Sequence, residues 1–357
     1  MSSGIGQYAA TVRMSPEQAV MLAFIIEGFL VIIINIPVMG IIFFSKRLSN
    51  AKELMLIGGL CLADSVDALG YIFAGIIRTA MYAAGIDYTD GTTTPQINCF
   101  FTSFVIIFFI GYQFTAIMTL IVSLDRFAAV FFPSQQMRFS RTVRFVTIAG
   151  VGVSSTLTWL IVWPLQSNAT SALSTVSAQC YIAKTFLPEV WYYIIGLRII
   201  CITSSVILYF PIAFRMRKML KMQTNDLQAK VQNKKLARLT VTIAFTSLIA
   251  LCLLVIPDIL MIFDIGGLSR YHIFFYLIGL NKCLLNIFVY ALRQKELRRA
   301  IVFSALRMLN LNTSKWEASS LVQVTQTRMP QIGWGNLTVN SDPRSSTVRR
   351  PGAVRGD

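Results

Sequence analysis

Seven long blocks of apolar residues constrain this chain more than any other feature. Each block reaches the length of about 20 residues that a helix needs to cross the hydrocarbon core of a bilayer. Lipid offers no hydrogen-bond partners to bare backbone groups, so such blocks must form helices. The sequence therefore predicts an all-α membrane protein with a bundle of seven transmembrane helices. The predicted helices are Ala19–Phe44, Leu54–Ile77, Cys99–Ser123, Phe145–Pro164, Val190–Phe214, Leu239–Phe263 and Tyr271–Leu292.

Composition argues against several other classes of protein. Of the 357 residues 55% are hydrophobic and only 13% are charged, which fits neither a soluble enzyme nor a disordered chain. The single histidine, His272, leaves no histidine-rich metal site, and the six cysteines include no CxxC pair. We expect no metal, no cofactor and no catalytic site, because facing helices offer neither a Ser/His nor a paired-Asp arrangement.

Lysine and arginine collect on one side of the predicted helices, the side that holds the C-terminus. That side carries 26 of the 32 basic residues. By the positive-inside rule it faces the cytoplasm, which places the N-terminus outside a plasma-membrane protein. The net charge of +16 then reflects topology and attraction to anionic lipid, so we expect a membrane-lipid partner and no nucleic acid. Outside the cytoplasmic group lie Arg13, Arg78, Lys184 and Arg270, with Arg198 and Lys282 inside the helices.

Two marks in the predicted outer loops agree with this orientation. Asn168-Ala-Thr170 is an acceptor sequence for glycosylation at Asn168. Cys99 and Cys180 both fall on the outer side, where a disulfide can persist. The other four cysteines lie within helices, where we expect them to act as small apolar residues.

The chain divides into four predicted segments. Residues 1–18 form an extracellular N-terminus and residues 19–292 the seven-helix domain. Residues 293–309 interleave apolar with basic side chains, which predicts an amphipathic helix on the inner leaflet. Residues 310–357 are rich in Ser, Thr, Gln, Asn and Arg and are predicted to form a disordered cytoplasmic tail.

Several short motifs occur in order along the predicted helices. Through them the chain resembles the rhodopsin-like G-protein-coupled receptors over about residues 19–309. Within that family the chain is most similar to the nematode serpentine chemoreceptors of the sx class. The cues are a short N-terminus, the run Asp-Arg-Phe-Ala-Ala-Val-Phe-Phe-Pro and a seventh helix that reads Asn-Ile instead of Asn-Pro. The motif residues are Asn35, Leu60–Asp64, Ser123–Phe127, Asp125–Pro133, Pro257 and Asn286–Tyr290.

The resemblance implies a receptor that converts binding of an extracellular small-molecule or peptide ligand into activation of a heterotrimeric G protein. It also implies arrestin and receptor-kinase contacts at the tail. A peptide-type receptor of the same family is one alternative. A membrane transporter is another, although neither broken helices nor internal repeats are evident.

The resemblance also implies roles for individual residues. Arg126 is similar to the family's switch arginine, which its neighbour Asp125 holds in the inactive state. Tyr209 and Tyr290 resemble the tyrosines that swing inward during activation. Asp64 matches the buried acid that binds sodium in many relatives. A Cys99–Cys180 bridge is implied over the ligand entrance.

Ionisable residues inside a predicted helix are costly and usually functional. Lys282 lies one helical turn before Asn286, and we hypothesise that its ammonium pairs with Asp64 in place of sodium. The alternative is that Lys282 points into a water-filled gap. The predicted buried polar core consists of Asn35, Asp64, Thr115, Lys282 and Asn286.

Arg198 and Asp258 lie toward the outer ends of the fifth and sixth predicted helices. They either meet a polar ligand or pair with each other and brace the bundle. Phe108, Tyr112 and Gln113 on the third helix face the expected ligand pocket, although an aromatic stripe more often reflects packing. An aspartate would occupy the position of Phe108 in monoamine receptors, which argues against an amine receptor of that kind.

Overall fold

The structure, a computed structural model, describes residues 15–44, 54–85, 92–132, 141–167, 174–222, 227–293 and 298, with only the backbone at 220–222, 227–235, 239, 269–270 and 290–293. Within these ranges seven helices are long and apolar enough to cross a membrane, which confirms the predicted bundle. They are α1 (Pro16–Phe44), α2 (Leu54–Ala83), α3 (Ser103–Phe131), α4 (Arg141–Ser167), α5 (Pro188–Met222), α6 (Leu227–Ala250, a π-helical turn Leu251–Val255, and Ile256–Ile262) and α7 (His272–Arg293).

The first helix begins with a capping box formed by Ser15 and Gln18. The backbone N–H of Gln18 donates to Oγ of Ser15 (3.2 Å), and the backbone N–H of Ser15 donates to Oε1 of Gln18 (3.0 Å). This reciprocal arrangement satisfies two backbone donors at the helix start. Pro16 occupies the first helical position, where its missing N–H costs nothing.

Most helices run further than the apolar blocks predict, because a helix can continue into the polar interface after its hydrophobic stretch ends. Arg78 and Arg144 show the consequence. The sequence places both in loops, but they lie within α2 and α4 and are buried. Conversely, Cys99 does not begin α3, since it lies in a separate short helix, Gln96–Phe100.

The outward faces of the helices are apolar, as a lipid environment requires. Ile161 on α4, Ile200 on α5 and Phe214 on α5 are each more than 60% exposed. Inward-facing positions instead carry aromatic and polar side chains. One aromatic series crosses from α1 to α3, with ring centroids 5.1 Å apart between Phe24 and Tyr71 and 4.7 Å apart between Tyr71 and Phe108.

A folded loop covers one end of the bundle. Strand β1 (Thr93–Pro95) pairs antiparallel with β2 (Thr175–Ser177), and Cys99 forms a disulfide with Cys180. Cys180 and the residues after it are buried against α2 and α3. We call this the disulfide end of the bundle and the opposite one the Arg126 end. Asn168, residues 1–14 and residues 299–357 lie outside the described residues, as does nearly all of the predicted helix 293–309.

Candidate functional site

The predicted contact between Lys282 and Asp64 is present in the bundle interior. The Lys282 ammonium nitrogen lies 2.5 Å from Oδ1 of Asp64, and the side-chain amide of Asn286 donates to Oδ2 at 3.0 Å. All three residues are buried. Lys282 and Asn286 meet the same carboxylate because positions four apart on α7 share one face.

These contacts do not fit a sodium ion at Asp64. Both carboxylate oxygens already accept hydrogen bonds from the protein, and the ammonium carries the positive charge that sodium would bring. Among the described residues, no group of three or more His, Cys, Asp or Glu is placed to hold a metal ion.

Thr115 and Asn35 do not join the Asp64 cluster. The hydroxyl of Thr115 donates to Oδ2 of Asp67 at 2.8 Å, so it meets the second carboxylate of α2. Asn35 on α1 is fully buried, and its amide has no hydrogen-bond partner in the described part of the chain. The predicted polar core is therefore two adjacent clusters plus a separate asparagine.

Arg126, the predicted switch residue, lies where α3 approaches the Arg126 end of the bundle, and it is completely buried. Nη2 of Arg126 is 2.5 Å from Oδ2 of Asp125, and Nη2 of Arg144 on α4 is 3.0 Å from Oδ1 of the same carboxylate. One aspartate thus holds two buried guanidinium groups from neighbouring helices. Sequence reasoning missed Arg144, because it was counted with the loop residues.

A chain of hydroxyl groups joins α3, α5 and α6 above Arg126. Oγ of Ser123 lies within hydrogen-bond distance of Oγ of Ser205 and 3.1 Å from the hydroxyl of Tyr209. Ser205 continues the chain to Ser247 at 3.1 Å. The hydroxyl of Tyr209 therefore faces the interior of the bundle. Tyr290 lies on α7, but its side chain is outside the described residues.

Arg198 and Asp258 form a buried ion pair between α5 and α6. Nε of Arg198 donates to Oδ2 of Asp258 at 2.7 Å, while Nη2 contacts Oδ1. The guanidinium also lies 4.4 Å above the ring centroid of Tyr112, a cation–π contact. Of the two alternatives for these residues, the structure contains the mutual pair.

Tyr112 lines the cavity beside this pair, but Phe108 and Gln113 do not. Phe108 packs edge-on against Tyr71 within the aromatic series. Gln113 is 2% exposed, and its side-chain nitrogen has no partner among the described residues. Of the three predicted pocket residues on α3, only Tyr112 is thus placed beside the charged pair.

Arg78 anchors the covering loop at the disulfide end. Its guanidinium donates to the backbone carbonyls of Gln179 (3.1 Å) and Cys180 (3.3 Å). It also lies between the rings of Phe104 and Tyr181, with centroids at 5.0 and 4.8 Å. The signal available in the sequence was an arginine one residue past an apolar block, still in helical phase with α2.

A comparison with protein families decides what this arrangement belongs to. The family described as serpentine type 7TM GPCR chemoreceptor Srsx matches residues 28–304, which cover most of the chain and all but the start of the bundle. The chain belongs to the Srsx family. No curated protein shows a significant match.

This Srsx protein is accordingly a chemosensory G-protein-coupled receptor and a multi-pass membrane protein. Membership of the family carries G-protein coupling and a ligand with it, and the family is one of receptors and not of enzymes. The resemblance to the sx class of chemoreceptors is confirmed. The disulfide that the resemblance implied is formed as well.

Proposed function

We propose that this receptor binds its ligand at the disulfide end, beside Arg198 and Asp258, and engages a heterotrimeric G protein at the Arg126 end. The observation that carries the proposal is the fully buried Arg126, held by a carboxylate on its own helix. Burying an arginine is costly unless it is paired and hydrogen-bonded, and ionisable residues within a membrane span usually serve a function. The hydroxyl chain of Ser123, Ser205 and Ser247 supplies contacts between the helices that must part to expose it.

Activation is a population shift between closed and open forms of the Arg126 end. A ligand drives the shift only by as much as its affinity differs between the two forms. Asp125 stabilises the closed form by pairing with both Arg126 and Arg144. Opening releases Arg126 toward the G protein.

Substitution of the switch arginine tests the coupling. Arg126→Ala is expected to abolish activation of G protein in cells that report cAMP and calcium, while surface expression stays near normal. Lys184→Gln is the matched control, since this exposed cation lies in the loop at the opposite end. Normal signalling by Arg126→Ala would count against the proposed mechanism.

We place the N-terminus outside the plasma membrane and the Arg126 end inside the cell. Two observations support this orientation. The side of the predicted helices that holds the C-terminus carries 26 basic residues, and the disulfide lies at the opposite end of the bundle from Arg126. An epitope tag at the N-terminus should be accessible to antibody on intact cells, whereas a tag at the C-terminus should become accessible only after the cells are permeabilised. Asn168→Gln should remove a glycan and increase electrophoretic mobility.

The segments outside the bundle complete the proposal. Residues 293–309 lie along the inner leaflet through their apolar and basic side chains, which gives a contact with anionic lipid. Residues 310–357 form the tail on which a receptor kinase and arrestin act. Deleting residues 310–357 is expected to slow desensitisation and to leave initial G-protein activation unchanged.

A further inference from the structure

A small cavity lies at the centre of the disulfide half, between α2, α3, α5, α6 and α7. Its volume is about 10 Å³, room for about one water molecule. Apolar and polar residues contribute to its lining in nearly equal numbers. A ligand group larger than a water molecule must therefore enlarge the cavity to enter it. The polar lining residues are Tyr71, Tyr112, Arg198, Asp258 and Tyr276.

The guanidinium of Arg198 has spare hydrogen-bond donors in this cavity. Arg198 carries five N–H donors, and its two hydrogen bonds to Asp258 use two of them. Both oxygens of Asp258 already accept from Arg198. The side chain of Asp258 is 1% exposed, against 5% for Arg198. Both side chains line the cavity.

Tyr276 adds a second donor that faces the same space. It is 5% exposed and lines the cavity, and its hydroxyl has no hydrogen-bond partner in the described part of the chain. A buried hydroxyl without a partner destabilises the state that contains it. Since Arg198 can only donate, an acceptor between Arg198 and Tyr276 satisfies both.

A second buried cation, Arg78, lies at this end of the bundle. Arg78 is buried on α2, and none of its contacts among the described residues is a carboxylate; they are two carbonyls and two aromatic rings. Tyr276 lies within electrostatic range of both Arg78 and Arg198. Two buried carboxylates, Asp258 and Asp67, also lie within electrostatic range of Arg198, so it is the unused donors of Arg198 and Tyr276 that favour an acceptor.

We infer that the ligand of this receptor carries a carboxylate. This group replaces Asp258 as the partner of Arg198 and accepts a hydrogen bond from Tyr276. The inference rests on the proposed function, because it names the ligand chemistry of that site. Asp258 is then the internal carboxylate that occupies Arg198 until the ligand arrives. Arg198 belongs to α5 and Asp258 to α6, so the exchange breaks the ion pair between these two helices.

Matched small probes test the inference on purified full-length receptor in nanodiscs. Butanoate, butanamide and butylammonium share one hydrocarbon chain and differ in charge, and each is supplied at millimolar concentration during thermal unfolding. Butanoate is expected to raise the melting temperature more than the other two. Asp258→Asn removes the internal competitor and should tighten butanoate binding by about tenfold or more, the scale of a charge-assisted hydrogen bond.

Single removal of Arg198 leaves Asp258 buried without its partner, so the informative variant is the neutral double substitution Arg198→Gln/Asp258→Asn. This variant should bind butanoate and butanamide equally weakly. Lys184→Gln, which removes an exposed cation at the same end, should keep the preference for butanoate.

Three results overturn the inference. They are a preference for butylammonium that disappears in Asp258→Asn, a butanoate preference that survives in the double variant, and the absence of any difference among the three probes. None of them bears on the G-protein coupling of the proposed function. That coupling is measured separately, as ligand-independent signalling with and without Arg126→Ala.

Discussion

The ammonium nitrogen of Lys282 lies 2.5 Å from Oδ1 of Asp64 and joins α7 to α2 inside the bundle. Each side chain is at most 2% exposed. A buried pair of this kind adds little net stability relative to a well-packed apolar pair, but removal of one partner leaves an uncompensated charge. Its main effect is therefore to make each residue depend on the other.

Lys282→Met should destabilise the receptor by about 3–5 kcal/mol, because Asp64 then remains buried without its cation. The double variant Lys282→Met/Asp64→Asn should recover most of that loss. Thermal unfolding of the purified receptor in detergent measures both. Equal stability of the single and double variants would show that the two charges are not coupled.

The same pair predicts how the receptor responds to sodium. The unaltered receptor should melt at the same temperature in sodium chloride and in choline chloride, since Lys282 occupies the cation position beside Asp64. Lys282→Met should be stabilised by sodium, because a free cation can then approach the carboxylate. A sodium-dependent melting temperature with Lys282 intact contradicts this assignment.

Asp125→Asn should raise ligand-independent signalling about fivefold. The substitution weakens the contacts of Arg126 and Arg144 with one partly exposed carboxylate, and such pairs contribute about 1 kcal/mol. Basal cAMP and calcium responses, normalised to surface expression, measure the effect. Glu189→Gln, an exposed carboxylate at the start of α5, serves as the control. Unchanged basal signalling would separate Asp125 from the switch.

The bundle was predictable because lipid removes the choice among secondary structures, so the length of an apolar block is enough. The contact of Lys282 with Asp64 was predictable for a related reason, since a buried charge must find an opposite one. The disulfide came from the resemblance. No sequence signal, by contrast, indicated the π-helical turn Leu251–Val255 or the pairing of β1 with β2.

Side-chain pairings that depend on the rotation or axial position of a helix could not be predicted from the sequence. Thr115 meets Asp67 and not Asp64, although both aspartates lie on one face of α2. A small axial shift of α3 decides between them, and periodicity does not encode such a shift. Arg78 and Arg144 were assigned to loops because hydrophobicity marks the edge of the membrane core and not the end of the helix.

Arg78→Met should loosen the covering loop at the disulfide end. The guanidinium donates to the carbonyls of Gln179 and Cys180, and charged hydrogen bonds of this type contribute about 1.5–3 kcal/mol. The expected results are a lower melting temperature and faster proteolytic cleavage of the loop. Lys184→Gln should change neither. Unaltered cleavage in Arg78→Met would assign the loop's order to the disulfide alone.

Gly75→Ala should destabilise the bundle, whereas Gly40→Ala should not. A Cβ at Gly75 of α2 would lie 2.7 Å from the backbone carbonyl oxygen of Met21, and α1 would have to move away to relieve the clash. Overpacking of this kind costs about 1–3 kcal/mol. Gly40 on α1 has nothing within 4 Å of the same atom, and alanine there should stabilise by up to about 1 kcal/mol through helix propensity. Melting temperatures of the two variants should therefore move in opposite directions, and a shared direction would mean that α1 and α2 pack less closely at Gly75.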